Sequence, residues 1–260
     1  MSKLTTKQGI ATLECINIAD ESKQEVSSKL VSIAGQKKGS AEDEAIYYYV
    51  LASKITPEDF QKMEPQMRRK FLEEKNPEYK LAFQFSLAGV YERTNNIKGL
   101  EILYKAGDLY EGSDWDSRMQ VLSAAGRLEE RSELLTKNAI EMTRKLYDSE
   151  NYYQTVDLVG LFKTDADVAE LRKILDTKPR EQALSYFTNI DYKNVHIAPK
   201  VIDIYLDKVL DVNEEAYFLS EDIIPHLNEA QKNRLRAFAK EYPERGLSMQ
   251  VREKLIEGNN

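Results

Sequence analysis

Residues 77–107 read PEYKLAFQFSLAGVYERTNNIKGLEILYKAG. Leu81, Phe83, Leu87, Ala88 and Tyr91 fall on one face of a helix, because apolar positions recur near the helical period. Asn95-Asn96 marks a short turn, after which Leu100, Leu103, Tyr104 and Gly107 resume the same period. Asn76-Pro77 starts the first of these helices, Pro being suited to the first helical position. Such a hairpin cannot bury its own apolar faces, so it must lean on a neighbour.

The same grammar extends in both directions. Downstream, Gly112-Ser113-Asp114 ends one hairpin and caps a helix running through Met119 and Leu122 to Gly126. A further helix carries Ile140, Met142 and Tyr147, and after Asn151 another is expected to begin at Tyr152-Tyr153. Thr164, Pro179 and Asn228 each open a later helix, another runs from Ile197 to Leu210 with Pro199 in its first turn, and Asn213 precedes one from Tyr217 to Ile224. Upstream, a helical pattern runs from Thr5 to Ala34, a breaker spans Gly35 to Ser40, and a helix follows through Tyr49 and Leu51. Thr56-Pro57-Glu58-Asp59 starts the next, with Pro65 predicted to kink or interrupt it before Phe71. The chain thus divides into an N-terminal helical region (1–76), central hairpins (77–163) and C-terminal hairpins (164–260).

The central segment, Pro77 to Lys163, resembles the tetratricopeptide repeat family. Leu87-Ala88 with Tyr91, the Asn95-Asn96 turn, and Leu100, Tyr104 and Gly107 follow that family's order of small residue, aromatic, turn and small residue. Gly126 to Leu135 looks like the turn and second helix of another repeat, and Tyr147, Asn151 and Tyr152-Tyr153 like a third. The turns are 31 and then 25 residues apart (95 to 126, 126 to 151), against about 34 in the family. The family's Pro after the second helix has no counterpart, and Trp is absent from its customary place. An irregular α-solenoid of another kind stays open beside it. The resemblance implies an all-α fold, a right-handed α-solenoid of stacked antiparallel helix hairpins. In the family's register the concave face would present Phe85, Glu92 and Arg93, then Asp116 and Gln120, then Asn138, Glu141 and Lys145. Mixed charge there implies a polar, extended ligand such as a peptide tail.

Composition narrows the function. A net charge of −7 and a pI near 5.2 make binding to phosphate backbones unfavourable. Arg68-Arg69-Lys70 stands beside Glu73 and Glu74, which reads as a salt-bridged surface. Cys15 is the single cysteine, so no intrachain disulfide forms and a reducing cytoplasm is expected. No window reaches the ~18–20 apolar residues of a membrane span, and Met1 to Gly9 lacks the apolar stretch of a secretory signal.

Residue types that carry chemistry are sparse. His196 and His226 stand thirty residues apart with no Cys or second His near either, whereas zinc takes about four ligands. No phosphate-cradling Gly-Lys-Ser/Thr and no Gly-x-Ser-x-Gly occurs. The acidic pairs Glu129-Glu130, Glu214-Glu215 and Asp165 with Asp167 sit at helix starts or on exposed faces, where caps and solubility explain them. Adjacent residues on a helix are about 100° apart, so at least one ring of Tyr47-Tyr48-Tyr49 and one of Tyr152-Tyr153 should reach the surface. The expectation is a non-catalytic scaffold without cofactor or metal, binding a protein or peptide and neither nucleic acid nor membrane. Self-association as a structural subunit is one alternative. An all-helical enzyme with a carboxylate-lined pocket is the other.

Overall fold

The computed structural model describes residues 22–34, 40–107, 115–147, 152–212 and 219–257. The expectations for Thr5 to Glu21 with Cys15, for the breaker at Gly35 to Gly39, for the Gly112 and Asn151 turns, and for Asn213 to Phe218 lie outside these residues. Among the described residues every regular element is helical and no strand occurs. The chain divides into two compact units, Met1–Glu130 and Arg131–Asn260.

The first unit contains α1 (Lys23–Ala34), α2 (Ala41–Lys54), α3 (Pro57–Glu73), α4 (Pro77–Arg93), α5 (Ile97–Gly107) and α6 (Trp115–Gly126). Start signals read from sequence are met: Thr56 Oγ1 accepts from the Asp59 N–H at 3.4 Å, and Asn76 Oδ1 accepts from the Glu78 N–H at 3.0 Å. Helix α4 packs on α2, α3, α5 and α6. With neighbours on most sides it buries Phe83, Gln84, Leu87, Ala88, Val90 and Tyr91 rather than one narrow stripe. Tyr47 and Tyr48 are both buried, while the Tyr49 side chain lies outside the described residues.

Pro65 does not interrupt α3, which runs unbroken from Pro57 to Glu73. A prolyl nitrogen offers no N–H to the carbonyl four residues back, here that of Gln61. Pro65 and Gln61 are both exposed, so that carbonyl can be hydrated and the helix continues.

The second unit contains α7 (Glu133–Tyr147), a 3-10 helix (Tyr152–Leu161), α8 (Asp165–Leu175), α9 (Arg180–Thr188) and α10 (Pro199–Val209). A short 3-10 helix (Glu221–His226), α11 (Glu229–Glu241) and α12 (Gly246–Val251) follow, and α12 runs into a π-helical segment, Arg252–Glu257. Thr164 with Asp167 and Asn228 with Gln231 form reciprocal capping boxes on α8 and α11. Tyr147, Tyr186, Phe187 and Tyr205 form a buried aromatic row with ring centres 5.3 to 6.2 Å apart.

The helix expected from Tyr152 is a 3-10 helix instead. Thr155, Val156, Val159 and Gly160 all weaken α propensity. Two of its carbonyls are also drawn elsewhere: Thr155 O accepts from the Tyr186 hydroxyl at 3.1 Å, and Leu161 O from Thr136 Oγ1 at 3.2 Å. The segment expected from Tyr217 to Ile224 likewise resolves, over its described part, into the 3-10 helix ending at His226; Pro225 within it withholds an N–H.

Candidate partner-binding surfaces

The eight residues singled out from sequence have different surroundings. Glu141 and Lys145 are exposed on α7. Arg93 is exposed over much of its length, while its guanidinium tip donates to the Ala52 carbonyl on α2. Glu92 pairs with Arg127 at 3.1 Å. Phe85 and Gln120 are half-buried, and the Gln120 Oε1 atom is enclosed with no hydrogen-bond partner among the described residues. Asn138 donates to the Leu134 carbonyl of its own helix at 2.8 Å. The Asp116 side chain lies outside the described residues. Asn138, Glu141 and Lys145 share one face of α7 by their spacing.

A cavity of about 480 Å³ opens in the first unit. Phe60, Gln61, Glu64 and Arg68 of α3 form one wall; the Thr94–Gly99 turn and Ile102 of α5 form the other. The turn is fixed in several ways. Asn95 has φ +50°, a left-handed conformation that Asn tolerates better than most residues. Asn96 donates its N–H to the Tyr91 carbonyl at 2.8 Å, and its Oδ1 accepts from the Gly99 N–H at 2.9 Å.

Tyr91 supports both walls. A Cβ at position 99 would lie 2.5 Å from the Tyr91 ring, so only glycine permits α5 to begin this close. The Tyr91 hydroxyl donates to Glu64 Oε1 at 2.5 Å, and Arg68 Nε stands 3.4 Å from the same oxygen. Burial first, and the Glu64 carboxylate second, push the Tyr91 phenol well above its ordinary pKa, so it remains a donor. Sequence reading missed Gln61 and Glu64, and took Arg68 only as part of a salt-bridged surface, where its partner is Glu64. Their spacing placed them on one face of α3, yet the opposing wall comes from residues some thirty positions later, a pairing that only tertiary contact reveals.

In the second unit a chain of ion pairs crosses exposed helix faces. Arg144 and Lys173 both reach Glu170, at 3.0 and 2.6 Å. Arg172 meets Asp207 at 2.6 Å, and Arg234 meets Asp207 at 2.6 Å and Asp203 at 3.3 Å. Gln231 adds hydrogen bonds from α11 to Asp203 and to the Pro199 carbonyl. Burial works against it, but hydrogen bonds from Arg234 and Arg172 hold the Asp207 carboxyl below its usual range. Each exposed pair contributes little singly, about 0–1 kcal/mol. A second cavity, about 560 Å³, lies between Ile190–Lys193 and Glu221–His226. There the His226 ring lies 5.5 Å from that of Tyr192, whose hydroxyl donates to the Phe187 carbonyl at 2.9 Å. Both histidines are exposed and His196 is not part of this cavity.

Among the described residues, no group of three or more His, Cys, Asp or Glu is placed to hold a metal ion, and no helix is long and apolar enough to cross a membrane. Comparison with known proteins found no matching family, no similar curated protein and no similar solved structure.

Proposed function

We propose that this chain is a helical-repeat scaffold of the tetratricopeptide type, its hairpins stacked as a right-handed α-solenoid, that binds a protein or peptide partner without catalysing a reaction. The supporting observation is a recurrent interval. Polar links between helices join Ser27 to Asp59, Gln84 to Ser117 and Glu92 to Arg127 in the first unit, at separations of 32, 33 and 35 residues. In the second unit Arg131 to Asp167, Tyr147 to Gln182, Arg172 to Asp207 and Leu219 to Gln250 are separated by 36, 35, 35 and 31. Links of 26, 27 and 41 residues occur beside these (Arg144 to Glu170, Tyr91 to Glu64, Arg93 to Ala52); the recurrence between 31 and 36 is what stacked hairpins of about 34 residues produce. Contacts of α1 with α2 and α3, and of α4 with α5 and α6, agree with that reading, since a stacked helix meets the next and the next but one.

Partner contacts are assigned unit by unit to the exposed members of the set named from sequence: Arg93 in the first unit, and separately Glu141 and Lys145 on one face of α7 in the second. The test is affinity capture from source lysate with the wild-type chain and with Arg93→Ala, Glu141→Ala and Lys145→Ala in parallel. Loss of one reproducibly captured protein in the variants supports the assignment, and unchanged capture in all three removes it. A second reading, a structural subunit of an assembly, is favoured by Met249 and Ile256, which are 60% and 49% exposed on the last helical segment. Sedimentation velocity separates the two: concentration-dependent association that Met249→Glu and Ile256→Glu abolish would favour the assembly.

A further inference from the structure

We infer that the cavity between α3 and the α4–α5 turn is a subsite for an uncharged stretch of extended polypeptide, gripped by its main-chain amides with one apolar side chain against Ile102. The choice of ligand class rests on the proposed function; the location and the mode of grip do not. At about 480 Å³ the cavity falls within the range that ordered ligands occupy.

The charges lining it favour a neutral occupant. Glu64 already accepts from the Tyr91 hydroxyl and faces Arg68, and Lys98 stands 3.3 Å from Glu101. A cationic ligand attracted to Glu64 and Glu130 would be repelled by Arg68 and Lys98, and an anionic one would meet the reverse. A lipid chain would strip water from the carboxamides of Gln61, Asn95 and Asn96 without replacing their hydrogen bonds.

Two carboxamides supply the grip. Gln61 on α3 and Asn95 on the turn are both exposed and both line the cavity. Each offers an N–H donor and a carbonyl acceptor, the complement of a peptide group's C=O and N–H. Phe60 and Ile97 also line the cavity but are each 2% exposed, so the half-buried Ile102 supplies the apolar contact. Because Tyr91 fixes the turn through Gly99 and Glu64 through its hydroxyl, little ordering remains to be done on binding.

The test uses the full chain labelled with ¹⁵N and three capped tripeptides: N-acetyl-Gly-Leu-Gly-amide and its Lys- and Glu-centred analogues. The leucine peptide is expected to produce saturable shifts in the Asn95, Gly99 and Ile102 amides and in the side-chain amides of Gln61 and Asn95. Gln61→Ala and Asn95→Gly, the latter suited to the left-handed backbone, each remove neutral hydrogen bonds and should weaken it about fivefold. The charged analogues should bind more weakly than the leucine peptide. No saturation at these amides, equal or tighter binding of either charged peptide, or unchanged affinity in both variants would overturn the inference. The lysate experiment reads Arg93, Glu141 and Lys145 instead, so either result can fail while the other stands.

Discussion

Arg131 and Asp167 meet through two parallel hydrogen bonds, Nε to Oδ2 at 3.0 Å and Nη2 to Oδ1 at 2.9 Å. Asp167 is 4% exposed and also accepts from the Thr164 N–H at 2.9 Å, so one carboxylate both caps α8 and anchors the residue that precedes α7. Although burial works to raise it, these donors hold the Asp167 carboxyl below its ordinary range. Asp167→Ala should destabilise the second unit by about 2–3 kcal/mol, since it removes charge-assisted bonds and a cap together. Arg131→Ala should cost less, because the guanidinium is one-third exposed and Thr164 remains a donor. Urea unfolding of the two variants checks the order.

Gly99→Ala should destabilise the first unit by about 1–3 kcal/mol, the usual range for overpacking. The atoms met are those of the Tyr91 ring, which is fully buried and cannot swing aside. In a Tyr91→Ala background the same substitution should cost almost nothing. A double-mutant cycle by thermal unfolding measures that difference, and additive effects would separate the two residues.

Asp59, 2% exposed, joins α1 to α3: Ser27, Ser28 and Gln24 donate to Oδ2 at 2.8, 3.0 and 3.1 Å, and Lys62 to Oδ1 at 2.7 Å. The hydrogen bond from Lys62, opposed by burial and aided by the serines, lowers its pKa. A depressed folded-state pKa gives stability that is present above the unfolded value, about 3.9, and is lost as pH falls through the folded one. Asp59→Asn should therefore unfold at lower urea than wild type near neutral pH, by about 2 kcal/mol. Below about pH 4 the two midpoints should converge.

Pro65→Ala should stabilise α3 by about 1–3 kcal/mol, since Pro is the poorest residue in a helix interior and this one is exposed. The melting temperature of the first unit reads the effect. A fall instead would mean that the exposed prolyl ring contributes packing in its own right.

Helices and their starts were legible because caps and periodicity are local: Thr56, Asn76, Thr164, Pro179 and Asn228 all open or immediately precede the elements assigned to them, and the helix expected from Ile197 begins two residues later at Pro199. The interruption allowed for at Pro65 does not occur, and the segment after Tyr152 was misread, for a different reason. Whether a missing N–H matters depends on the exposure of the Gln61 carbonyl, and the 3-10 helix depends on hydroxyls of Tyr186 and Thr136, which lie in other elements. The residues named for a concave face came from a register, which fixes position along a helix but not the company each side chain keeps. Glu92 proved to be paired with Arg127, and Gln120 enclosed. The α3–α5 cavity was invisible for the same reason.

Arg234 and Gln231 fasten α11 to α10 through Asp203, Asp207 and the Pro199 carbonyl, and Arg172 reaches Asp207 from α8. This seam is held together in good part by charge at half-exposed positions, where added electrolyte competes. As the screening distance shrinks from about 10 Å at 0.1 M to about 3 Å at 1 M salt, the grip there slackens, while the buried, uncharged aromatic row of this unit is untouched. Ionic strength therefore acts as a dial on this seam, as it does on the other exposed pairs, and the attachment of α11 to α10 is expected to loosen in brine.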